Sequence, residues 1–312
     1  MGSAPLARAY SWSTLLLLAG LSLFWGMNWP AMKFVLAEMP VLTFRMMCVW
    51  LTGPALLLLA RLGGEQIGVP VREWPALLLA SFCNVTLWYL GTGMGVSLIP
   101  AGRASLIAFT MPVWCALFST ILLHERLGLR RLAGLVLGMA GIAVLLAPDA
   151  ASFRAAPLGA GFVLMAAIGW AAGTVTMKAA GFSRSVAQMT GWQLIIGGTP
   201  IAVAALWQDP PLHDLALSRE TFLVLAYIIA LPMIFGQWAW FKALDRLPGT
   251  VAAVSALAVP VVGLLSSALL LGERLGPSEI AALVLVISAL TLVLFTPAPP
   301  SRATAANPAL GS

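Results

Sequence analysis

PVWCALFSTILLHERLG at 112–128 and PVVGLLSSALLLGERLG at 260–276 align without a gap, 148 residues apart, and ten of the 17 positions are identical. A chain that repeats a long apolar segment with the same charged ending is built from two copies of one unit. Fainter traces of the duplication surround it. Trp25 and Lys33 stand eight residues apart, as do Trp170 and Lys178, and Pro54 and Pro200 each interrupt the second apolar run of a half.

The 312 residues are 61% hydrophobic and only 9% charged, whereas a soluble domain carries about 25% charged residues. So few polar side chains cannot cover a water-facing surface. This excludes a soluble enzyme, a disordered chain and a basic nucleic-acid binder, despite the net charge of +6. A transmembrane helix needs about 20 mainly apolar residues, and ten runs of that kind can be read, near 12–36, 41–61, 74–96, 101–123, 130–148, 157–178, 185–207, 219–241, 247–271 and 278–296. None alternates in the manner of a barrel strand. The first is too long for a secretory signal and has no small-residue cleavage site.

The expected fold is therefore an all-α membrane protein with ten transmembrane helices. It comprises one repeat over 12–148, a second over 157–296 and a disordered Pro/Ala-rich tail over 297–312. Because five spans per copy is an odd number, the second copy enters the membrane upside down. Inverted repeats of this kind build secondary transporters, whose halves rock around a site near the bilayer midplane. With the N-terminus in the cytoplasm, that side receives 11 of the 17 Lys and Arg and the opposite side 4, while Arg45 and Arg103 sit inside span ends. The positive-inside bias then places both termini in the cytoplasm.

Polar and helix-breaking residues inside spans are expensive in hydrocarbon and should face a cavity or a partner helix. Trp25, Asn28 and Pro30 cluster in the first run. Ser81, Asn84, Trp88 and Thr92 recur at helical spacing in the third, Trp170, Thr174 and Lys178 in the sixth, and Pro232, Gln237 and Trp240 mark the eighth. The expected substrate-binding set is Trp25, Asn28, Asn84, Trp88, Trp170, Thr174, Gln237 and Trp240. Its indoles would stack on an aromatic side chain or hold an ammonium, and its amides would pair with a carboxylate or an amino group. Pro30, Pro112, Pro232 and Pro260 are the expected kinks. Lys33 and Arg45 could draw a substrate carboxylate toward the outer exit, although basic side chains near span ends also snorkel to the interface. Glu125 and Glu273, in the two ERLG endings, suit pairing with Arg or capping of helix ends.

LFWGMNWPAMKFVL at 23–36, Arg45 early in the second run and the doubled ERLG ending together resemble the EamA family of the drug/metabolite transporter superfamily, over almost the whole chain. The resemblance implies ten helices, a central cavity drawn from both halves and export of small metabolites. Within the family the chain is most similar to bacterial exporters of aromatic and other amino acids. One departure is that Thr190 and Gln193 occupy the region of the second copy where Arg45 sits in the first.

The expected protein is thus an inner-membrane exporter of amino acids, favouring aromatic and bulky apolar ones and working by alternating access. It needs no cofactor, no metal and no nucleic acid, and is a monomer or homodimer in the lipid bilayer. No Walker loop is present. His124 and His213 stand alone, and Cys48, Cys83 and Cys115 read as packing residues. Gly134, Gly138 and Gly141 form a small-residue row that suits helix packing or a dimer contact. With no Asp or Glu mid-span, export is either facilitated or coupled through another group. An exporter of drugs or quaternary-ammonium compounds stays open, as indoles suit such cations. An intramembrane enzyme on lipid substrates would need a carboxylate cluster or a nucleophile with its base, and none is visible.

Overall fold

A computed structural model of the protein describes residues 12–123, 129–146, 156–240 and 249–294, which are helical or in connecting loops with no strand among them. The expected tail and the first ERLG ending, with Glu125, lie outside the described residues. The helices are α1 (Trp12–Val35), α2 (Val41–Leu62), α3 (Val71–Leu98), α4 (Ala101–Leu122) and α5 (Leu129–Leu146) in the first copy. In the second they are α6 (Ala156–Ala180), α7 (Val186–Gln208), α8 (Arg219–Trp240), α9 (Gly249–Leu271) and α10 (Pro277–Leu294). Among the described residues, α2, α3, α4, α6, α7 and α8 are long and apolar enough to cross a membrane. Helices satisfy their own backbone polar groups, which hydrocarbon demands. The outer surface is correspondingly greasy: Leu206 is 78% exposed, Trp207 85% and Leu269 84%.

The helices pair across the two copies. α2 packs along α7, α5 along α10, α1 along α9 and α6 along α3 and α4. These pairs map onto one another when the copies are exchanged, the α1/α9 contact becoming α6/α4. Val49, Gly53 and Leu57 of α2 meet Gly198, Leu194 and Gly191 of α7 in reverse order, so these equivalent helices run antiparallel. The same holds for α5 and α10, where Gly138 faces Ala289 and Gly141 faces Val286. That contact gives these two glycines of the small-residue row a packing role within one chain.

Polar bonds tie each end of the bundle. At one end, Thr43 donates its N–H and hydroxyl to Asp209 at 2.8 and 2.7 Å, and the Ser218 N–H bonds Glu38 at 2.8 Å. Glu273 accepts from the N–H groups of Ala101 and Gly102 at 2.6 and 3.0 Å, capping α4 from the other copy as a carboxylate at a helix N-terminus should. Arg103 pairs with Glu279 at 2.7 Å there. At the other end Ser185 bonds Glu65, and Trp192 donates to the Ile67 carbonyl at 2.7 Å.

Both third helices contain a π turn, Phe82–Leu87 in α3 and Ile229–Phe235 in α8, at corresponding places in the two copies. Such turns insert an extra residue and rotate everything beyond them. Pro232, which lacks an N–H, accounts for the turn in α8. No proline marks the one in α3. The expected breaks at Pro112 and Pro260 differ from each other. α4 is interrupted at Phe109–Thr110 and restarts with Pro112 in its first turn, where a missing N–H costs nothing. Pro260 is absorbed inside an unbroken α9, and Pro30 inside an unbroken α1.

Candidate functional site

The faces of α1–α4, α6, α8 and α9 enclose a cavity of about 230 Å³ between the two copies. Its walls are rich in aromatic side chains. Trp25 and Trp29 come from α1, Trp88 and Tyr89 from α3, Phe109 from α4, Trp170 from α6 and Trp240 from α8. The indoles form two pairs across helix boundaries: Trp25 with Trp240 at 5.7 Å between ring centres, and Trp88 with Trp170 at 4.9 Å. Trp25 Nε1 also donates to the carbonyl of Pro232 at 3.0 Å, within the π turn of α8. Gly236 makes room for that indole, since a Cβ there would lie 2.6 Å from Trp25 Nε1.

The polar groups of the lining are few: Asn28, Arg45, Thr92 and Gln237, besides the Tyr89 hydroxyl, which donates to Met233 Sδ at 3.5 Å. Among the described residues the lining holds no carboxylate. Arg45 is 3% exposed. Its Nη2 donates to Thr92 Oγ1 at 2.7 Å and touches Met32 Sδ, and its guanidinium lies 5.0 Å from the Phe44 ring centre and 5.3 Å from that of Tyr89. The Thr92 hydroxyl is free to accept because it donates its own proton to the Trp88 carbonyl at 2.6 Å.

Accessibility is graded along the cavity. Trp29, Met32, Arg45, Tyr89 and Thr92 are buried, toward the end tied by Asp209 and Glu273. Trp25, Asn28, Trp88, Trp170, Gln237 and Trp240 are half-buried, toward the end that carries Arg61, Arg72 and Arg184.

Several residues singled out in the sequence stand elsewhere. Asn84 was expected on one face with Trp88 and Thr92, but it lies within the π turn of α3 and reaches α7 instead. Its Nδ2 donates to Gln193 Oε1 at 2.8 Å, and Thr86 donates to the Gly197 carbonyl at 2.7 Å. A Cβ on Gly173 of α6 would collide with the Asn84 amide, so that glycine seats it. Thr174 is exposed and outside the cavity lining. Lys33 is engaged by the C-terminal end of α3, its Nζ donating to the carbonyls of Val96 at 2.6 Å, Ile99 at 3.1 Å and Ser97 at 3.3 Å. A cation on the last carbonyls of a helix is a favourable cap. Pro30, Pro112 and Pro260 do not line the cavity, whereas Pro232 does. Conversely Tyr89, Phe109 and Met233 do line it, and nothing in a single sequence separates an aromatic that faces a cavity from one that faces lipid.

A two-copy helical bundle with an outward apolar surface and a chamber rich in aromatic side chains between the copies is the architecture of a membrane carrier for small molecules. The sequence profile described as the EamA-like transporter family matches residues 12–147 and again 157–295, and the chain belongs to that family. It is 30% identical to the "uncharacterized transporter YvbV" of Bacillus subtilis over 90% of this chain and 91% of that protein. It is also 30% identical to the "probable amino-acid metabolite efflux pump" of Escherichia coli, over 87% of this chain and 91% of that protein. A solved crystal structure 18% identical in sequence superposes with a TM-score of 0.64, covering 90% of this chain and 96% of that one, and shares the fold. The protein is a membrane transporter and not an enzyme.

Proposed function

We propose that the chain exports amino acids across a bacterial inner membrane, favouring aromatic and bulky apolar ones. In this reading two inverted five-helix units, with boundaries near 12–148 and 157–296, cross the bilayer ten times and leave both termini in the cytoplasm. The observation that carries the proposal is a small chamber walled by two indole pairs, each pair formed between the two copies. At about 230 Å³ it falls below the roughly 300–1,000 Å³ of sites for drug-sized ligands, which suits a small metabolite. Trp25, Trp88, Trp170 and Trp240 would hold the side chain of the substrate, and Asn28 and Gln237 its polar groups. A relative named as an amino-acid metabolite efflux pump, similar over most of both chains, supports the substrate class.

The same geometry supports a reading by alternating access. In this reading the basic-residue bias puts the buried end of the cavity outside and its half-buried end toward the cytoplasm. The π turns of α3 and α8 and the interruption of α4 are the places where these helices can bend. With no carboxylate among the described residues of its lining, the cavity favours facilitated efflux driven by the substrate gradient. Purified protein in liposomes loaded with labelled phenylalanine or tryptophan tests the proposal. Efflux above that of protein-free liposomes, unchanged by a protonophore, is the expected result, and no efflux of any amino acid would reject it.

A further inference from the structure

Arg45 is the charged member of the cavity lining, and it is almost wholly buried. A guanidinium cannot shed its proton to escape that burial, and a buried charge demands a counter-charge. Among the described residues no carboxylate pairs with it. Nη2 has the Thr92 hydroxyl, but Nε is buried without a hydrogen-bond partner. The fold does not require a cation at this place. Gln193, 148 residues further on in the second copy, is neutral and satisfied by Asn84. One helical turn before Met32, which touches Arg45, stands Asn28, whose buried Oδ1 also lacks a partner. Arg45 and Asn28 both line the same small chamber, the first a cation with no counter-charge among the described residues and the second an acceptor with no donor.

We propose that the missing counter-ion of Arg45 is the cargo itself. The guanidinium receives the substrate carboxylate at the closed end of the cavity, Asn28 Oδ1 accepts from the substrate ammonium, and the side chain points back among the indoles. The inference rests on the exporter reading and narrows it: cargo must carry a carboxylate, and a permanent cation is repelled although the indoles alone would welcome it.

Binding to the purified wild-type protein, by calorimetry with tryptophan, indole-3-propionate, tryptamine and tetraphenylphosphonium, separates the contributions. Tryptophan should bind tightest and indole-3-propionate within about 10-fold of it. Tryptamine, which lacks the carboxylate, should bind about 10- to 100-fold more weakly, the range expected for losing a charge-assisted hydrogen bond, and the phosphonium ion should bind no better. Arg45→Gln should erase the preference for carboxylates and Arg45→Lys should keep part of it. If Arg45→Gln does not fold, the wild-type series decides alone. Tryptamine or the phosphonium ion binding as tightly as tryptophan would overturn the proposal, as would a folded Arg45→Gln protein with unchanged preference. Carboxylate-selective binding without transport in liposomes would instead reject the exporter reading and leave the anion site standing.

Discussion

Trp25 meets Trp240 between α1 and α8, and Trp170 meets Trp88 between α6 and α3, so each of two walls of the cavity carries one indole pair. α1 corresponds to α6 and α8 to α3 under the repeat, and both walls contain a π turn. They are secured differently. The α1/α8 wall places its polar bond at the cavity surface, from the Trp25 indole to the Pro232 carbonyl. The α3/α6 wall places its polar bonds behind the cavity, where Asn84 sits over Gly173 and bonds Gln193. A duplicated unit can therefore keep its helix geometry while moving the fastening from the cavity side to the packing side. The consequence is that Trp25 lines the cavity and fastens its wall, whereas Trp170 lines the cavity and Asn84 fastens the wall behind it.

The largest effect that would sharpen this contrast is at Trp25. Trp25→Ala removes a ring contact, a hydrogen bond and the filling of the space over Gly236, and should cut aromatic amino-acid efflux from proteoliposomes about 30-fold or more. Trp170→Ala removes only the tilted ring contact with Trp88 and should cost about 10-fold, with unchanged thermal stability in detergent. A larger loss at Trp170 than at Trp25 would break the comparison. Asn84→Leu leaves Gln193 buried without its partner and should destabilise the protein by about 1–3 kcal/mol. The concentration dependence of transport should stay the same, and a changed KM would return Asn84 to the cavity. Trp25→Phe keeps a ring and removes only the bond to Pro232, for a loss of about 1 kcal/mol or roughly 5-fold in transport.

The smallest effect lies at the closed end, outside both walls. The Ser218 N–H, with the Thr221 and Ser218 hydroxyls, holds the Glu38 carboxyl below its ordinary range. A folded-state value lower than the unfolded one stabilises at neutral pH, and that contribution disappears as pH falls through the lowered value. Melting temperatures measured from pH 7 down to pH 3 should show a small acid-side loss that is absent in Glu38→Gln. Because Glu38 is exposed, the difference should amount to a degree or two at most.

The positions of Trp25, Trp88, Trp170 and Trp240 were legible because an indole, an amide or a proline inside a 20-residue apolar run is conspicuous. Asn84 was misplaced for a definite reason. Projecting α-helical spacing from Ser81 to Thr92 assumes 3.6 residues per turn throughout, and the π turn at Phe82–Leu87 breaks that assumption. Lys33 was ambiguous because a basic residue near a span end has two outlets, a ligand or the carbonyls of a neighbouring helix, and only the approach of α3 selects the second.

The sequence alone determined that this chain is a duplicated, helical membrane protein. Apolar run length, scarcity of charge and an internal repeat are properties of the chain that hold wherever its helices pack. Which polar groups are satisfied, and which are left waiting, belonged to the tertiary structure. Gln193 and Arg45 occupy the same place in the two copies, yet one lies against Asn84 and the other lines the cavity. That difference arises because hydrogen bonding and burial depend on which helix arrives opposite, and the order of residues along one chain does not record it.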